Sequence, residues 1–253
     1  MELFPVPAIP EVRPGDDIGG MILERADLRP DDIVLVASTI VSKAEDRGAD
    51  LSTFDPGPRA HAIAQRIGDI VGEPKDPRLA QAILDESAEV IMEAPFLLTV
   101  TRFGHVGVNA GVDRSNTGGA DILLLPEDPT ASAARIRDAL PHANPVIVTD
   151  TCGRPFRHGQ VGVAIGWSGM PASRDWRGQK DRDGRELHVT VESMIDELAA
   201  AANLVSGEGD GGTPVVIARG IDVEGFEGSD ALFRDPATDF VRAALRKWEY
   251  ARE

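Results

Sequence analysis

Residues 146–166 read VIVTDTCGRPFRHGQVGVAIG, and this stretch governs how the fold is interpreted. It opens with the apolar run Val146–Val148, which is typical of a buried strand. A carboxylate and a hydroxyl, Asp150 and Thr151, follow almost at once. We expect the strand to end there and a polar loop with several glycines to begin. The pattern therefore places two oxygen-bearing side chains side by side where a strand leaves the core.

The apolar run that follows this loop leads to Gly166, and its glycines from Gly159 onward also fit a strand with close backbone contacts. Elsewhere, strand and helix patterns succeed one another without strict alternation, which favours an α/β fold with a mixed (α+β) sheet over a doubly wound one. We see no internal repeat and no low-complexity linker, so we expect one domain over residues 1–253. The predicted strands are 32–38, 89–93, 95–102, 122–126, 186–190 and 215–218, and the predicted helices are 59–70, 77–86, 129–140, 191–205 and 235–253.

Several local signals mark where these elements begin and turn. Ser38 or Thr39 is suited to cap a helix after the first buried strand, and Thr190 is a plausible cap for the helix over 191–205. Asp128 followed by Pro129 is a typical helix start. An Asp-Gly pair at 183–184 predicts a hairpin turn. Residues 104–119 are rich in Gly and Asn, which tolerate unusual backbone angles.

The chain is strongly acidic, with a formal net charge of -16 and few lysines (Lys43, Lys75, Lys180 and Lys247). Such a surface repels nucleic acid and anionic membranes, so we expect neither as a partner. The composition favours a halophilic protein that works in molar salt, where its self-repulsion is screened. An ordinary acidic protein is the alternative. Either way, an anionic substrate must be received by local cations or metal ions.

Other compositional features limit the class of protein. The N-terminus has neither the basic nor the apolar region of a signal peptide, and no apolar stretch approaches the length of a membrane span, so we expect a cytoplasmic protein. Cys152 is the single cysteine, which excludes an intramolecular disulfide and a multi-cysteine zinc site. The five histidines are scattered without ligand spacing.

Four residues bring hard oxygen ligands to the ends of apolar elements: Asp113, Asp150, Thr151 and Glu208. Carboxylate and hydroxyl oxygens suit magnesium, manganese or calcium, and two such ions could clamp a triphosphate and the group that attacks it. Each residue also has a purely structural interpretation. Asp150 could cap a turn, and Asp113 with Arg114 could form a surface turn.

Two segments could bind phosphate. The loop 206–213, Ser-Gly-Glu-Gly-Asp-Gly-Gly-Thr, could cradle phosphate with its backbone N–H groups, or it could simply be the glycine cap and linker that end a helix. Ser38 and Thr39 with Lys43 could form a helix N-terminus for an anion, or a plain cap beside a solvated lysine. Cys152 lacks a histidine at activating distance in sequence, so we interpret it as a small turn residue and not as a nucleophile.

Five motifs in order resemble one family. IPEV (9–12), ASTIVSK (37–43), NAGVDRSNTGG (109–119), VTDTCGRPFRHGQVGVAIG (148–166) and VSGEGDGGTP (205–214) are similar to those of the coenzyme F(420)-0:L-glutamate ligases, which are GTP-dependent γ-glutamyl ligases. The resemblance extends from Leu3 to about Arg219 and is specific because it joins five separate motifs. It implies a two-lobed α/β fold and an intertwined homodimer.

The resemblance also assigns roles to individual residues. Asp113 and Asp150 would bind one divalent ion, magnesium or manganese, and Thr151 and Glu208 a second; Asp113, Asp150 and Glu208 would thereby serve catalysis. A monovalent cation, potassium, is implied as well. The residues implied to contact GTP are Ile9, Pro10, Glu11, Val12, Ser38, Thr39, Lys43, Asn116, Ser206, Gly207, Glu208, Gly209, Asp210, Gly211, Gly212 and Thr213.

The implied reaction adds L-glutamate to the lactyl carboxylate of coenzyme F(420)-0 through an acyl phosphate, and then adds a second, γ-linked glutamate. In an extended backbone, successive side chains point opposite ways, so Asp150 and Thr151 could each face a different ion. Two other interpretations stay open from the residues alone: a metal-dependent nucleotide phosphohydrolase, and a non-catalytic GTP-binding protein.

Overall fold

A computed structural model describes residues 1–223 and 228–248. The chain separates into two compact units, each built from two stretches of sequence. The first comprises Met1–Ala44 and Asp128–Leu232, and the second Glu45–Glu127 and Phe233–Glu253. The first unit holds most of the predicted phosphate-binding and oxygen-ligand residues.

Within the described ranges, the strands in chain order are β1 (Glu2–Pro5), β2 (Ile33–Ala37), β3 (Gly48–Ala49), β4 (Ser87–Met92), β5 (Leu98–Thr101), β6 (Val106–Val108), β7 (Ile122–Leu123), β8 (Val146–Arg154), β9 (Arg157–Ser168), β10 (Ser173–Asp175), β11 (Val191–Glu192), β12 (Val215–Arg219) and β13 (Gly228–Ser229). The helices there are α1 (Ile18–Leu23), α2 (Ser38–Ala44), α3 (Pro58–Val71), α4 (Pro77–Asp85), α5 (Pro129–Ala139), α6 (Met194–Ser206) and α7 (Phe240–Leu245), with short 3-10 turns at Leu51–Thr53 and Asn109–Gly111.

The first unit is built on a mixed sheet in the order β1-β12-β2-β8-β9. β2 and β8 run parallel, and the other neighbours are antiparallel, so the predicted α/β fold with a mixed sheet is confirmed. Helix α6 packs against the sheet through a buried cluster that includes Ile33, Leu35 and Ile147 from the strands and Leu198 from the helix. Alternate side chains of β2 thus supply the core on this face.

The prediction that β8 ends at Asp150–Thr151 is wrong. β8 continues to Arg154 and turns directly into β9, so the expected polar loop is a long antiparallel hairpin. Apolar character stops at Val148 because only the first part of β8 borders the core. Backbone pairing to β9 holds the remainder in strand conformation although its side chains are polar.

Two glycines of β9 let helices approach the sheet closely, as the glycine spacing suggested. A Cβ at Gly162 would stand 2.4 Å from the carbonyl oxygen of Ala199 in α6. At Gly166 it would stand 2.3 Å from the carbonyl carbon of Pro129, at the start of α5. Any larger residue would force the helix away from the strand, so these positions require glycine.

Three helices predicted from local signals are confirmed: α3 and α4 from apolar periodicity, and α5 from its Asp128-Pro129 start. Helices α3, α4 and α5 lie within two residues of the predicted ranges, and the Asp128 side chain accepts a hydrogen bond from the backbone N–H of Ala131 as expected for a cap. The closing helix was overestimated: α7 ends at Leu245, and residues 249–253 of the predicted helix lie outside the described residues.

Other predicted boundaries need correction. Residues 186–190 do not form a strand, because the turn around Gly184 makes only a single bridge, Lys180 to Glu186, before strand β11 begins at Val191. Thr190 is therefore not a helix cap; Ser193 precedes α6. The predicted strand at 122–126 shrinks to β7, and the strands at 89–93 and 95–102 become β4 and β5.

The second unit packs α3 and α4 around a separate core that includes Ile63, Ile83 and Leu97. Its main sheet has the antiparallel order β4-β5-β6. The Gly- and Asn-rich segment 104–119 departs from ordinary backbone angles as predicted, with positive φ at Asn109 and Asn116 among others. This segment carries the predicted ligand Asp113.

Helix α7 is held to β4 by charge. Glu89 of β4 accepts hydrogen bonds from Arg242 and from Arg246, the latter at 2.6 Å. The hydrogen bonds from Arg246 and Arg242 lower the pKa of Glu89 to about 2. A carboxylate with two arginine partners stays ionised and fixes the helix in place.

Within residues 1–223 and 228–248, no helix combines the length and the apolar character needed to cross a bilayer.

Candidate functional site

One edge of the five-stranded sheet gathers most of the predicted nucleotide-binding segments. The carboxyl end of β2, the amino end of β12 and the carboxyl end of β1 all lie at this edge, because β12 is antiparallel to both neighbours. Backbone hydrogen bonds from Ala37 N to Pro214 O (2.8 Å) and from Val6 N to Val215 O (2.9 Å) join the strand ends. Residues 9–12, 38–43 and 206–213 each follow or precede one of these ends.

Asp150 extends this edge from the neighbouring strand. β8 pairs in parallel with β2, with Thr149 opposite Ala37, so Asp150 comes next to the start of α2. The Ser38 hydroxyl donates to Asp150 Oδ1 at 3.3 Å. Helix α2 begins at Ser38 itself, so the hydroxyl serves the carboxylate of another strand and not the predicted cap.

Thr151 points away from Asp150, as expected for neighbours in an extended strand. Thr151 pairs with Gly162 of β9. A Cβ added at Gly162 would point at the backbone of α6 at Ala199. Asp150 and Thr151 are both half-buried. The structure thus confirms the extended backbone that would direct two oxygen ligands to opposite faces, and the metal ions that they would hold remain a prediction.

The segment 9–12 is fastened to α2. Lys43 Nζ donates to Glu11 Oε1 at 2.5 Å, and the backbone N–H of Gly15 donates to the carbonyl of Ala44 at 2.8 Å. Val12 is buried, while Pro10 and Glu11 are exposed. The Lys43 side chain is only 12% exposed, whereas that of Glu11 is 62% exposed, so an incoming phosphate could displace the carboxylate from the ammonium group.

The glycine-rich loop begins as a helix cap. Gly207 has φ 69° and donates its N–H to Asn203 O. This residue is therefore the glycine cap that ends α6, as the structural alternative predicted. Asn203 Nδ2 donates to Glu208 Oε1 at 2.7 Å, and the Thr213 hydroxyl donates to Ser206 O at 2.9 Å. Residues 207–212 are exposed. The loop closes on itself and leaves an exposed backbone that could receive an anion.

Asp113 and Asn116 belong to the second unit, whereas Asp150, Thr151 and Glu208 belong to the first. The Asp113 carboxylate accepts hydrogen bonds from Arg114 N at 2.6 Å and from Ser115 N and Oγ, each at 2.8 Å. These bonds form the surface turn that was the structural alternative. The carboxylate is exposed and keeps oxygen lone pairs for a cation.

No group of three or more His, Cys, Asp and Glu side chains comes together as a metal cluster in the part of the chain that the structure describes. The donors at the sheet edge are of the right chemistry for magnesium or manganese, since Asp150 offers a carboxylate and Thr151 a hydroxyl. Because these two side chains face opposite ways, each could contribute to a different cation, and either cation would need further oxygen ligands.

Cys152 is half-buried, and burial raises the pKa of its thiol; the carboxylates of Asp150 and Asp196 raise it further. A thiol that resists ionisation is a poor nucleophile, which agrees with the sequence interpretation.

Asp196 and Lys75 were not among the site residues predicted from the sequence. Asp196 accepts from Ala164 N at 3.0 Å and from the Ser193 hydroxyl at 2.9 Å, and it thereby ties α6 to β9. Lys75, in the second unit, donates to Asn109 Oδ1 at 3.2 Å; burial lowers its pKa, and the nearby Arg114 lowers it further. The scarcity of lysine was the one signal that could have singled out Lys75.

The chain is similar to known proteins of one family. The family model described as F420-0:Gamma-glutamyl ligase matches residues 8–220, which include every motif segment. A protein of Halorubrum lacusprofundi is 64% identical, over 99% of this chain and 99% of its own length. One of Haloarcula marismortui is 62% identical over the full length of both.

A more distant relative, from Archaeoglobus fulgidus, is 44% identical over 98% of each chain. All three relatives carry the name Coenzyme F420:L-glutamate ligase. The matches are nearly end to end, and the family match covers most of the chain, including both Asp150 and the loop 206–213. The chain belongs to the F420-0:gamma-glutamyl ligase family.

Proposed function

We propose that this protein is a GTP-dependent ligase that joins L-glutamate to the lactyl carboxylate of coenzyme F(420)-0 and then adds a second, γ-linked glutamate. The observation that carries the proposal is the meeting of 9–12, 38–43, 206–213 and Asp150 at one edge of the mixed sheet. Open α/β sheets bind their ligands beyond the carboxyl ends of strands, where the chain direction changes. Membership of the family and the names of its relatives support the substrate assignment.

The proposed chemistry activates a poor electrophile. The acceptor carboxylate attacks the γ-phosphorus of GTP, the bond to the β-phosphate oxygen breaks, and GDP leaves with that electron pair. The amine of L-glutamate then attacks the acyl phosphate, loses a proton, and displaces inorganic phosphate. An amide forms, and one GTP is consumed for each glutamate added.

Residues at the sheet edge have separate tasks in this scheme. The backbone N–H groups of 207–212 and the ammonium of Lys43 hold the phosphates. Asp150 would hold one divalent ion, which the family resemblance also assigns to Asp113 of the second unit, and Thr151 and Glu208 would hold a second. Magnesium or manganese, when bound, neutralises the charge that develops on the transferred phosphoryl group. Ser38 donates to Asp150 and orients its carboxylate.

The proposal also includes a potassium ion and a homodimer, on the basis of the family resemblance. Sedimentation in the presence and absence of GTP would count the subunits.

Mass spectrometry of the product tests the function. Incubation of F(420)-0 with GTP, L-glutamate and manganese should yield species heavier by one and then two glutamyl groups, with one GDP formed for each. GDP release without glutamate or acceptor would favour a nucleotide phosphohydrolase. GTP binding without turnover would favour a non-catalytic protein.

Glu208→Gln tests the loop. Its carboxylate accepts from Asn203, and the variant keeps that shape without the charge. We expect GTP affinity to persist through the loop amides and Lys43, while single-turnover formation of the acyl phosphate slows by about a hundredfold or more, because a cation ligand is lost. Unaltered transfer would show that Glu208 only ends the helix.

A further inference from the structure

The hairpin formed by Asp150–Val163, here called the hairpin arm, extends past the sheet. β2 pairs with β8 only as far as Thr149, and from Asp150 to Arg154 the strand pairs with β9 alone. These five residues carry the arm about 17 Å beyond the last contact with β2. Residues 153–160 are all exposed. The arm starts at the candidate site and leads away from it.

The tip of the hairpin arm carries a residue that the turn does not favour. Pro155 and Phe156 connect β8 to β9, and Phe156 has φ 63°. Glycine or asparagine adopts this conformation readily, whereas a bulky side chain does so rarely and at a cost. The Phe156 ring is fully exposed, at 106%, so packing of the fold does not reward it. Strain of this kind persists where function requires the side chain.

The hairpin arm is also a basic region in an acidic chain. No Asp or Glu occurs from Thr151 to Arg174, although the net charge is -16. Arg154 spans the turn by donating to the carbonyl of His158 at 3.1 Å. The side chain of Arg157 makes no hydrogen bond or ion pair with any residue that the structure describes. An uncompensated guanidinium is suited to bind carboxylate or phosphate in bidentate fashion.

Strand geometry sets the distance of these groups from the site. Asp150 and Arg154 are four residues apart on β8, which puts about 14 Å between them. Arg157 is directly opposite Arg154, although the register shifts between Gly153 and Arg154. The hairpin arm thus carries the candidate metal ligand at one end and the cations with the exposed ring at the other.

We propose that the hairpin arm binds the acceptor substrate, a molecule that is both aromatic and anionic. Phe156 stacks on its ring system, Arg157 pairs with an anionic group, and the reacting carboxylate reaches Asp150. The inference rests on the function proposed above. GTP shares this chemistry, but the segments assigned to it lie at the sheet edge, which leaves the hairpin arm to the acceptor.

Phe156→Gly is the first test, because glycine removes the ring and suits a positive φ. We expect the melting temperature to hold or rise. The KM for the acceptor should increase about tenfold, as expected for the loss of one stacking contact. The Kd of the acceptor, measured without GTP by the fluorescence of its aromatic ring system, should increase by the same factor. The KM for GTP should change by less than about twofold. Phe156→Trp should restore acceptor binding.

Arg157→Gln tests the charge, with Arg66→Gln as its matched control. Arg66 is an exposed arginine of α3 in the second unit, so its variant loses the same charge elsewhere. We expect weaker acceptor binding for Arg157→Gln alone. The difference should shrink as KCl increases, because salt screens an exposed ion pair, whereas the effect of Phe156→Gly should not shrink.

Three results would overturn the proposal. Acceptor affinity could be unchanged in both variants of the hairpin arm. The KM for GTP could rise in place of that for the acceptor, which would make the arm a nucleotide surface. Sedimentation could show that the variants change the number of subunits, which would make it an interface between copies. If wild-type protein binds the acceptor through the arm but forms no glutamyl product, the proposed function fails and the binding surface stands.

Discussion

Two aspartates at opposite ends of the same strand pair show how differently the fold uses a carboxylate. Asp32 immediately precedes β2, is fully buried, and accepts from Arg219 Nε at 2.6 Å and Nη2 at 2.7 Å. Asp150 follows the part of β8 that pairs with β2, is half-buried, and accepts from the Ser38 hydroxyl at 3.3 Å. Asp32 is held by a bidentate ion pair, whereas the interactions of Asp150 include a long hydrogen bond from a neutral hydroxyl.

The difference separates stability from function. The backbone N–H of Arg29 adds a third bond to Asp32 at 2.8 Å, so that its oxygens are committed to the fold. A carboxylate in such a pair has little capacity for a ligand. Asp150 is half-buried at the edge where the predicted phosphate-binding segments meet, a position that suits a carboxylate ligand of a cation.

The largest expected effect comes from Asp150→Ala. The variant should fold, since a half-buried side chain is lost from the polar part of β8 and no core side chain is removed. Ligation should fall by about a hundredfold or more, because charge stabilisation at the transferred phosphoryl group is lost. Turnover is measured by the glutamylated product at saturating manganese, and circular dichroism checks the fold. Normal turnover would show that Asp150 is not a metal ligand.

Asp32→Ala should show the reverse pattern. Removing the fully buried partner of Arg219 should lower the free energy of unfolding by about 3 kcal/mol, at the low end for a buried pair because the guanidinium can reach water. Turnover per folded molecule should be unchanged. Chemical denaturation measures the loss. Asp31→Ala is the control, since Asp31 is exposed and should cost little. A loss of activity without loss of stability would contradict a purely stabilising role for Asp32.

The stability contributed by Asp32 should depend on pH in the acid range. Burial raises the pKa of Asp32, but the hydrogen bonds from Arg219 and Arg29 outweigh it and lower the pKa below the ordinary 3.8. A lowered folded-state pKa gives stability that is complete above 3.8 and is lost as pH falls through the folded value. Wild-type protein should therefore lose more stability below pH 3.8 than Asp32→Asn does. Equal slopes of unfolding free energy against pH would show that the pair is not linked to acid stability.

The smallest and most diffuse effect should be that of salt. A net charge of -16 spread over the surface repels itself, so the melting temperature should be higher in molar KCl than in dilute buffer. The effect should be similar in wild type and in Asp32→Ala, because it does not arise from the buried pair. A melting temperature that is flat or falls with KCl would remove the halophile interpretation. The high identity to proteins of Halorubrum and Haloarcula motivates the test.

The sequence by itself determined the features that depend on near neighbours. Periodicity placed α3 and α4, and the Asp128-Pro129 start placed α5 with its Asp128 cap. Local signals also placed the run from β2 into α2. It also determined that Asp150 and Thr151 are adjacent, and the motif order identified the family before any geometry was known. These features succeed because their physical signals, such as side-chain spacing and local hydrogen bonds, operate over a few residues.

Only the tertiary structure decided which distant segments meet. Strand order brings 9–12 and 206–213 to the same edge as Ser38, and it pairs Asp32 with Arg219, 187 residues apart. It also carries β8 past Asp150 as a hairpin, where the sequence suggested a loop. The physical reason is that sheet register depends on the burial and backbone pairing of all its strands together, and no single strand contains that information.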